Sequence, residues 1–362
     1  MGRGKLKNEF SWSFSRNNAF EECEKKYWYT YYGSWEGWVM YQKNGAMKAD
    51  SLAGYLYAMK NMKNMPMFVG TVVHGTIEYA LKEYRANNTL VTLEAMIEKG
   101  EEELVRGIEE AKNEKWRESP KKYNSLLEVY YADRDDVVEI TEDTMKTAID
   151  KMKRCITHWY NSPITQKMIM SPRSTFLGIE DLDSFIIDDV YKVWVVIDCA
   201  LRWQREGKND TIVLFDWKTG RHNEKDINQL YSYALFAEKS WGIEADRVVL
   251  VPYYLDSDNY DKTGAGQDKE LSQEKIDSVE KFITMSSAMM EKKLHDTGEG
   301  REKNLKKNIA DVMDFPYTND RRSCSRCQYR ELCEATEYEE IPHERIREAA
   351  AKLINLLPPE AR

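Results

Sequence analysis

From Ser174 to Trp217 apolar residues either alternate with polar ones or run together in short blocks, interrupted at Asp188-Asp189 and at Gly207-Lys208-Asn209-Asp210. Blocks of that period between turn residues predict strands: Phe176–Ile187, Val190–Trp203 and Thr211–Trp217, joined as an antiparallel meander. Elsewhere the apolar positions recur with a helical period. They predict helices over 13–32, 67–86, 92–118, 136–161, 224–241, 272–296 and 343–356, with a linker at Ser119-Pro120. Ser13 or Ser15 suits the N-cap of the first helix, whose stripe runs through Phe20, Cys23, Tyr27 and Tyr31. The segment 33–66, rich in Gly, Tyr, Met and Asn, carries no assignable pattern. Arg247–Leu255 is a fourth strand, and the helix before it permits a parallel pairing through a crossover. The fold class is therefore α/β (mixed α+β), a central mixed sheet flanked by helices, with the helices ahead of the sheet as an insertion or cap. The expected divisions are an N-terminal helix (1–35), a helical region (36–170), a sheet core (171–300) and a C-terminal segment (301–362).

The third strand ends in Asp216-Trp217-Lys218-Thr219-Gly220. Residues i and i+2 of a strand share a face, so the carboxylate and the ammonium project together. A carboxylate holds a hard cation and a lysine steadies developing negative charge, the pairing that phosphodiester hydrolysis needs. Asp-x-Lys is a common tripeptide, and an ordinary strand end reads the same way. Asp198 closes the apolar run Val193–Ile197 and converges with Asp216 if the chain turns back at Gly207–Asp210. His74 and Glu78 share a helix face at i,i+4. An imidazole with two carboxylates suits Mn²⁺ or Mg²⁺, the imidazole favouring Mn²⁺. Gln229 and Tyr233 lie one turn apart, where an amide and a phenol can hold a phosphate or a base. Taken singly, a core histidine, a turn-capping aspartate and plain helix positions are the commoner readings of these residues.

Six cysteines are present: Cys23, Cys155, Cys199, Cys324, Cys327 and Cys333. Cys324-Ser325-Arg326-Cys327 reads as zinc-binding or redox-active, and Cys333 follows closely. A four-thiolate site needs one more ligand, for which Cys23 is the best placed candidate. Spacing alone leaves zinc and iron–sulfur both open, zinc being the commoner. Cys155 and Cys199 read as buried bystanders. Arg321, Arg322, Arg326 and Arg330 surround the cysteine run, as a solvated surface or as a phosphate-tracking patch.

The net charge of −9 excludes a surface coated in positive charge but not a local basic groove. With 42% hydrophobic and 32% charged residues, the composition is that of a globular protein. No stretch approaches the roughly 18–20 apolar residues of a membrane span. Met1-Gly2-Arg3-Gly4-Lys5 is not followed by an apolar signal region, so a cytoplasmic location is expected. The 22 tyrosines and 10 tryptophans supply rings that stack on unpaired bases, although most belong to a core. No Gly-x-x-x-x-Gly-Lys-Ser/Thr run is present, so no ATP motor is expected.

The order His74, Asp198, Asp216-x-Lys218, Gln229-x-x-x-Tyr233 resembles the RecB/AddB-like branch of the PD-(D/E)XK nuclease superfamily, over about residues 11 to 336. Phe215-Asp216-Trp217-Lys218-Thr219-Gly220 is close to that branch's Asp-aromatic-Lys-Thr-Gly signature. The resemblance implies a restriction-endonuclease-like core and a metal-dependent DNA nuclease, commonly an exonuclease on single-stranded ends. It implies metal ligation by His74, Asp198, Asp216 and the Trp217 carbonyl, a catalytic Lys218, and Gln229 and Tyr233 near the DNA. Glu180 sits where related sequences often carry a glutamate. Cys23 with Cys324, Cys327 and Cys333 resembles the four cysteines of AddB and of CRISPR-associated exonucleases, which implies a [4Fe–4S] cluster joining the two ends of the chain. Val195 stands where relatives often have glycine, and Glu24 where they often have proline. The resemblance also implies DNA as partner, and allows helicase- or integrase-type protein partners. A catalytically silent DNA-binding scaffold, or a nuclease working only inside a recombination, repair or CRISPR adaptation complex, are the alternative expectations. The helical region 40–170 is expected to cover the cleft as a strand-threading channel.

Overall fold

The computed structural model describes residues 7–42, 50–207, 209–223, 226–267, 269–336 and 343–353. Positions 1–5, the expected helix start at 224–225, Lys208 of the expected turn and the expected helix end at 354–356 lie outside the described residues. In chain order the α-helices and strands are α1 (Phe14–Glu22), α2 (Glu24–Trp28), α3 (Ser51–Lys60), α4 (Met65–Asn87), α5 (Leu93–Lys112), α6 (Leu127–Tyr130), α7 (Glu142–Asn161), β1 (Ser174–Ile187), β2 (Tyr191–Trp203), β3 (Thr211–Lys218), α8 (Asp226–Trp241), β4 (Val248–Tyr254), β5 (Asn259–Tyr260), β6 (Thr263–Gly264), α9 (Gln273–Glu291), α10 (Arg301–Lys307), α11 (Arg321–Ser325), α12 (Arg330–Ala335) and α13 (His343–Leu353). They fall into two bodies. One comprises residues 1–65, 106–140 and 286–362, the other 66–105 and 141–285.

The second body holds a mixed sheet of order β1-β2-β3-β4-β5, with β6 also paired to β4. β1 to β3 form the expected antiparallel meander, and β3 and β4 run parallel, joined through α8. Every residue of β4, and every residue of β3 before Lys218, is buried. A strand with both faces covered reads as such a continuous run rather than an alternation. The helix α8 covers part of the sheet, with Leu230, Tyr233, Leu235 and Phe236 buried and Phe236 against Phe185 of β1 at 6.0 Å between ring centres. From α7, Trp159 meets Trp217 edge-on at 6.4 Å, and the Tyr253 hydroxyl donates to the His158 carbonyl at 3.0 Å. A capping box at Thr141 and Thr144 starts α7 at Glu142 rather than at 136.

In the first body the expected helix 13–32 is broken. Ser13 caps it as expected, accepting from the Arg16 N–H at 3.2 Å. Cys23 then leaves helical geometry (φ −164°, ψ 115°), ending α1 and starting α2 with its own sulfur accepting from the Lys26 N–H at 3.4 Å. A π-helical turn, Tyr29–Gly33, follows. This N-terminal run is stitched to the C-terminal part of the body. Buried Lys25 donates to the Val312 carbonyl at 2.7 Å, Trp28 to the Ala310 carbonyl at 2.9 Å, and Tyr32 to Asn308 at 3.0 Å. The Tyr29 and Tyr329 rings pack at 5.3 Å. Residues 33–66, unassigned by pattern, contain a 3₁₀ turn (Gly37–Tyr41) and α3. The expected helix 92–118 ends at Lys112. Beyond it Glu114 takes a left-handed backbone (φ 51°), which an α-helix of L-residues does not continue.

Candidate active site

Three carboxylates lie in one row across the sheet. Ile179 pairs with Cys199 and Asp181 with Ile197, so Glu180 of β1 stands opposite Asp198 of β2. The β2–β3 ladder ends at Cys199 opposite Phe215, which leaves Asp198 and Asp216 as the next residues of the two strands, close enough for the Asp216 charge to act on Asp198. Like charges directly opposite each other destabilise a sheet, and Asp198 and Asp216 are buried as well. The row holds only if positive charge sits against it. In this structure His74 and Lys218 supply that charge.

His74 reaches the row from α4. Its Nδ1 lies 3.1 Å from Glu180 Oε1 and 3.6 Å from Asp198 Oδ1, and its Nε2 lies 2.9 Å from the Trp217 carbonyl oxygen. Both ring nitrogens thus face acceptors, the arrangement of an imidazolium with two N–H donors. Burial alone would depress the His74 pKa. The charge of Asp198 and the hydrogen bond that His74 donates to Glu180 outweigh it and hold His74 at about 9. Asp198 is pushed up by burial, against the opposing pull of His74, and its Oδ2 accepts from the Trp217 N–H at 2.5 Å. Ligand atoms of His74, Glu180 and Asp198 all lie within 4.8 Å of one another. With the Trp217 carbonyl, they form a pocket of acceptors now filled by the imidazolium's own protons.

Beside this pocket, four side chains close a ring. Lys218 Nζ lies 2.9 Å from Asp216 Oδ2 and donates to Gln229 Oε1 at 2.8 Å. Gln229 Nε2 donates to the Tyr233 hydroxyl at 2.7 Å, and that hydroxyl donates back to Asp216 Oδ1 at 3.3 Å. The i,i+4 spacing on α8 sets Gln229 and Tyr233 against the end of β3. Burial favours the neutral amine of Lys218, but the Asp216 charge outweighs it and raises its pKa, so the ammonium persists. Burial pushes the Asp216 carboxyl up, and Lys218 opposes that shift.

The profile of the PD-(D/E)XK nuclease superfamily matches residues 11–334. The chain belongs to the PD-(D/E)XK nuclease superfamily. Membership implies a metal-dependent phosphodiesterase nuclease that binds DNA, and the mixed sheet flanked by helices agrees with its restriction-endonuclease-like fold. No curated protein matches the chain.

Several expected site residues of this nuclease take different places from those the pattern suggested. Glu78 is not among the ligand atoms around His74: it pairs with Lys82 at 2.5 Å. Asp216 lies outside the 4.8 Å group of ligand atoms and faces Lys218 and Tyr233 instead. The Tyr233 hydroxyl is enclosed, 2% of the residue being exposed, so it holds Asp216 and Gln229 rather than a phosphate or base. Glu180, only a supporting candidate by pattern, makes the shortest side-chain contact to His74. Its backbone is left-handed (φ 53°), and β1 carries a register shift between Phe176 and Gly178. Such bulges re-aim side chains near active sites. The signal available in sequence was Gly178 inside a strand. Val195, where relatives often have glycine, is buried and pairs with Asp183.

In the first body Cys23, Cys324, Cys327 and Cys333 line one small cavity with Lys26, Tyr29 and Arg330. Cys23 comes from the break between α1 and α2, Cys324 from α11, and Cys333 from α12. Two backbone N–H groups point at sulfur: Lys26 at Cys23 and Tyr329 at Cys327, each at 3.4 Å. Burial pushes the Cys327 thiol up to about 12 and raises the Cys333 thiol as well, the neighbouring cysteines adding to both shifts. Among the described residues no three cysteine sulfurs lie within 4.8 Å of one another. Cys155 and Cys199, in the second body, are buried. Of the arginines around the cysteine run, Arg321, Arg322 and Arg326 are exposed. Arg330 is not on the surface: it lies 2% exposed over the Tyr131 ring at 4.1 Å and pairs with Asp136 at 2.9 Å.

Proposed function

We propose that this nuclease is a RecB/AddB-like exonuclease that hydrolyses phosphodiester bonds at the ends of single-stranded DNA. The observation that carries the reading is the acceptor pocket of His74, Glu180, Asp198 and the Trp217 carbonyl beside the Asp216–Lys218 pair. The donor set fits Mg²⁺ or Mn²⁺: carboxylate and carbonyl oxygens with one imidazole. The buried, mutually opposed carboxylates fit it too, because they need a cation against them. One or two such ions supply an acidic water and polarise a phosphoryl oxygen. Asp198, Glu180, His74 and the Trp217 carbonyl would hold the cation, with Asp216 as a further carboxylate ligand. The Lys218 ammonium steadies negative charge as it develops on the phosphate. Gln229 and Tyr233 are positioning residues that keep Lys218 and Asp216 in register.

For the cysteine cavity the proposal is a [4Fe–4S] cluster on Cys23, Cys324, Cys327 and Cys333. The N–H groups aimed at two of the sulfurs and the resemblance of the four-cysteine pattern support this reading. Its role is structural, tying the N-terminal run to the C-terminal segment. The proposal places the protein in the cytoplasm and takes any helicase or integrase activity from a partner protein.

The test is linear single-stranded DNA, labelled at either end, beside a covalently closed single-stranded circle, each incubated with Mn²⁺. An exonuclease degrades the linear strand from one end and spares the circle. Cutting of the circle at a comparable rate would reject the exonuclease reading.

A further inference from the structure

A groove of about 760 Å³ in the second body opens beside the end of β3, a size typical of ligand clefts. It is walled by rings from four segments: His222, Tyr231 of α8, Tyr254 of β4 and Tyr260 of β5, with Lys269 and Lys275 on its rim. The groove and the catalytic ring are built on neighbouring residues of the same strands and helix, although no residue of the ring lines the groove. Tyr254 pairs with Lys218 across the β3–β4 ladder, and the Leu255 N–H donates to the Lys218 carbonyl at 2.8 Å. His222 follows Lys218 after only Thr219–Arg221, and α8 turns Gln229 and Tyr233 to the catalytic ring while Ile227 and Tyr231, on its other face, line the groove. None of these rings takes part in the hydrogen-bonded ring around Asp216.

The rings are placed for stacking and the cations for phosphate. Tyr231 and Tyr260 are half exposed and His222 is exposed, whereas Tyr254 is buried with its hydroxyl donating to Asp226 at 3.1 Å. His222 rests against Tyr254 at 5.0 Å between ring centres. Lys275 Nζ lies 5.9 Å from the centre of Tyr231, and Lys262 Nζ lies 5.7 Å from that of Tyr260. Lys269 is engaged by Asp261, which leaves Lys275 as the rim cation without a carboxylate among the described ion pairs. Aromatic faces interleaved with a cation suit a nucleic acid whose bases are unstacked, since a paired base keeps its faces inside the duplex.

We infer that this groove holds the bases of a single-stranded segment next to the scissile phosphate, stacked on Tyr231, Tyr260 and His222, with Lys275 on the backbone. The inference rests on the nuclease reading and names where its strand lies. It is tested by binding without turnover: fluorescence anisotropy of a labelled twelve-residue oligo-dT and a duplex of equal length, in EDTA, over a range of salt. The single strand binds more tightly than the duplex. Tyr231→Ala and Tyr260→Ala each weaken it by about tenfold, a typical loss for one stacked base, and Tyr260→Phe restores the affinity. Lys275→Gln reduces the slope of log affinity against log salt by about 0.7, the value of one phosphate contact on a single strand. Full strand affinity in both tyrosine variants with an unchanged slope in Lys275→Gln overturns the groove assignment, even where the wild type cleaves DNA. Ring-dependent strand binding by a wild type that shows no metal-dependent hydrolysis sustains the groove and overturns the nuclease reading instead.

Discussion

Glu180 faces Asp198 across the β1–β2 ladder from a left-handed backbone, and its carboxylate meets His74 Nδ1 at 3.1 Å. Glu180 therefore lines the pocket, holding a conformation that non-glycine residues seldom adopt. Glu180→Gln keeps the shape and removes the charge. Mn²⁺ affinity, read by calorimetry, is expected to fall about 10- to 100-fold, as when a supporting carboxylate is lost from a metal site. The His74 pKa, read by NMR in the metal-free protein, should drop from its raised value.

The closed ring of Lys218, Asp216, Tyr233 and Gln229 makes a second prediction. Tyr233→Phe removes one hydrogen bond to Asp216 and should cost about 1 kcal/mol of stability, with kcat lowered and Mn²⁺ affinity nearly unchanged. Gln229→Leu frees the Lys218 ammonium and should lower kcat more than it raises KM. If either substitution mainly raised KM for DNA, these residues would be contacting the strand and not positioning Lys218.

Metal binding should depend steeply on pH. His74 sits at about 9 without metal because of Asp198 and Glu180, and burial also raises Asp198. At pH 7 the empty pocket therefore carries protons that a cation must displace. The apparent Mn²⁺ affinity is expected to rise as pH increases from 7 towards 9, with protons released on binding. Calorimetry in buffers of different ionisation enthalpy counts them. An affinity flat over that range would show the imidazolium arrangement to be wrong.

Cys23 is the sole proposed cluster ligand from the N-terminal run. Cys23→Ser should lower iron per chain and reduce the melting temperature of protein purified without oxygen, whereas Cys155→Ser should leave the iron content unchanged. Zinc in place of iron in the wild type would contradict the cluster.

The strands β1 to β4 and the β1–β3 meander were legible because these runs alternate or are apolar and end at turn residues, whereas the two-residue strands β5 and β6, and the partner of β4, were not. The site was legible where its residues follow strand or helix period: Asp216 with Lys218, and Gln229 with Tyr233. Three features were not. Glu180 escapes the two-residue period through the bulge at Gly178. Cys23 lies on the apolar stripe of a seemingly continuous helix, and only its extended backbone reveals the break. Arg330 reads as surface because nothing in a linear pattern announces Tyr131 and Asp136, which cover and pair it from far along the chain.

The central claim, that Asp216 and Lys218 form the catalytic pair beside the metal pocket, is tested most directly by Mn²⁺-dependent cleavage of end-labelled single-stranded DNA. Wild type, Asp216→Asn and Lys218→Ala are compared at equal concentration, with circular dichroism confirming the fold. The account predicts cleavage by the wild type that stops in EDTA, with losses of at least about 10²- to 10³-fold in both variants, the typical effect of removing a group that stabilises developing charge. Metal-dependent cleavage surviving at the wild-type rate in both folded variants would contradict it.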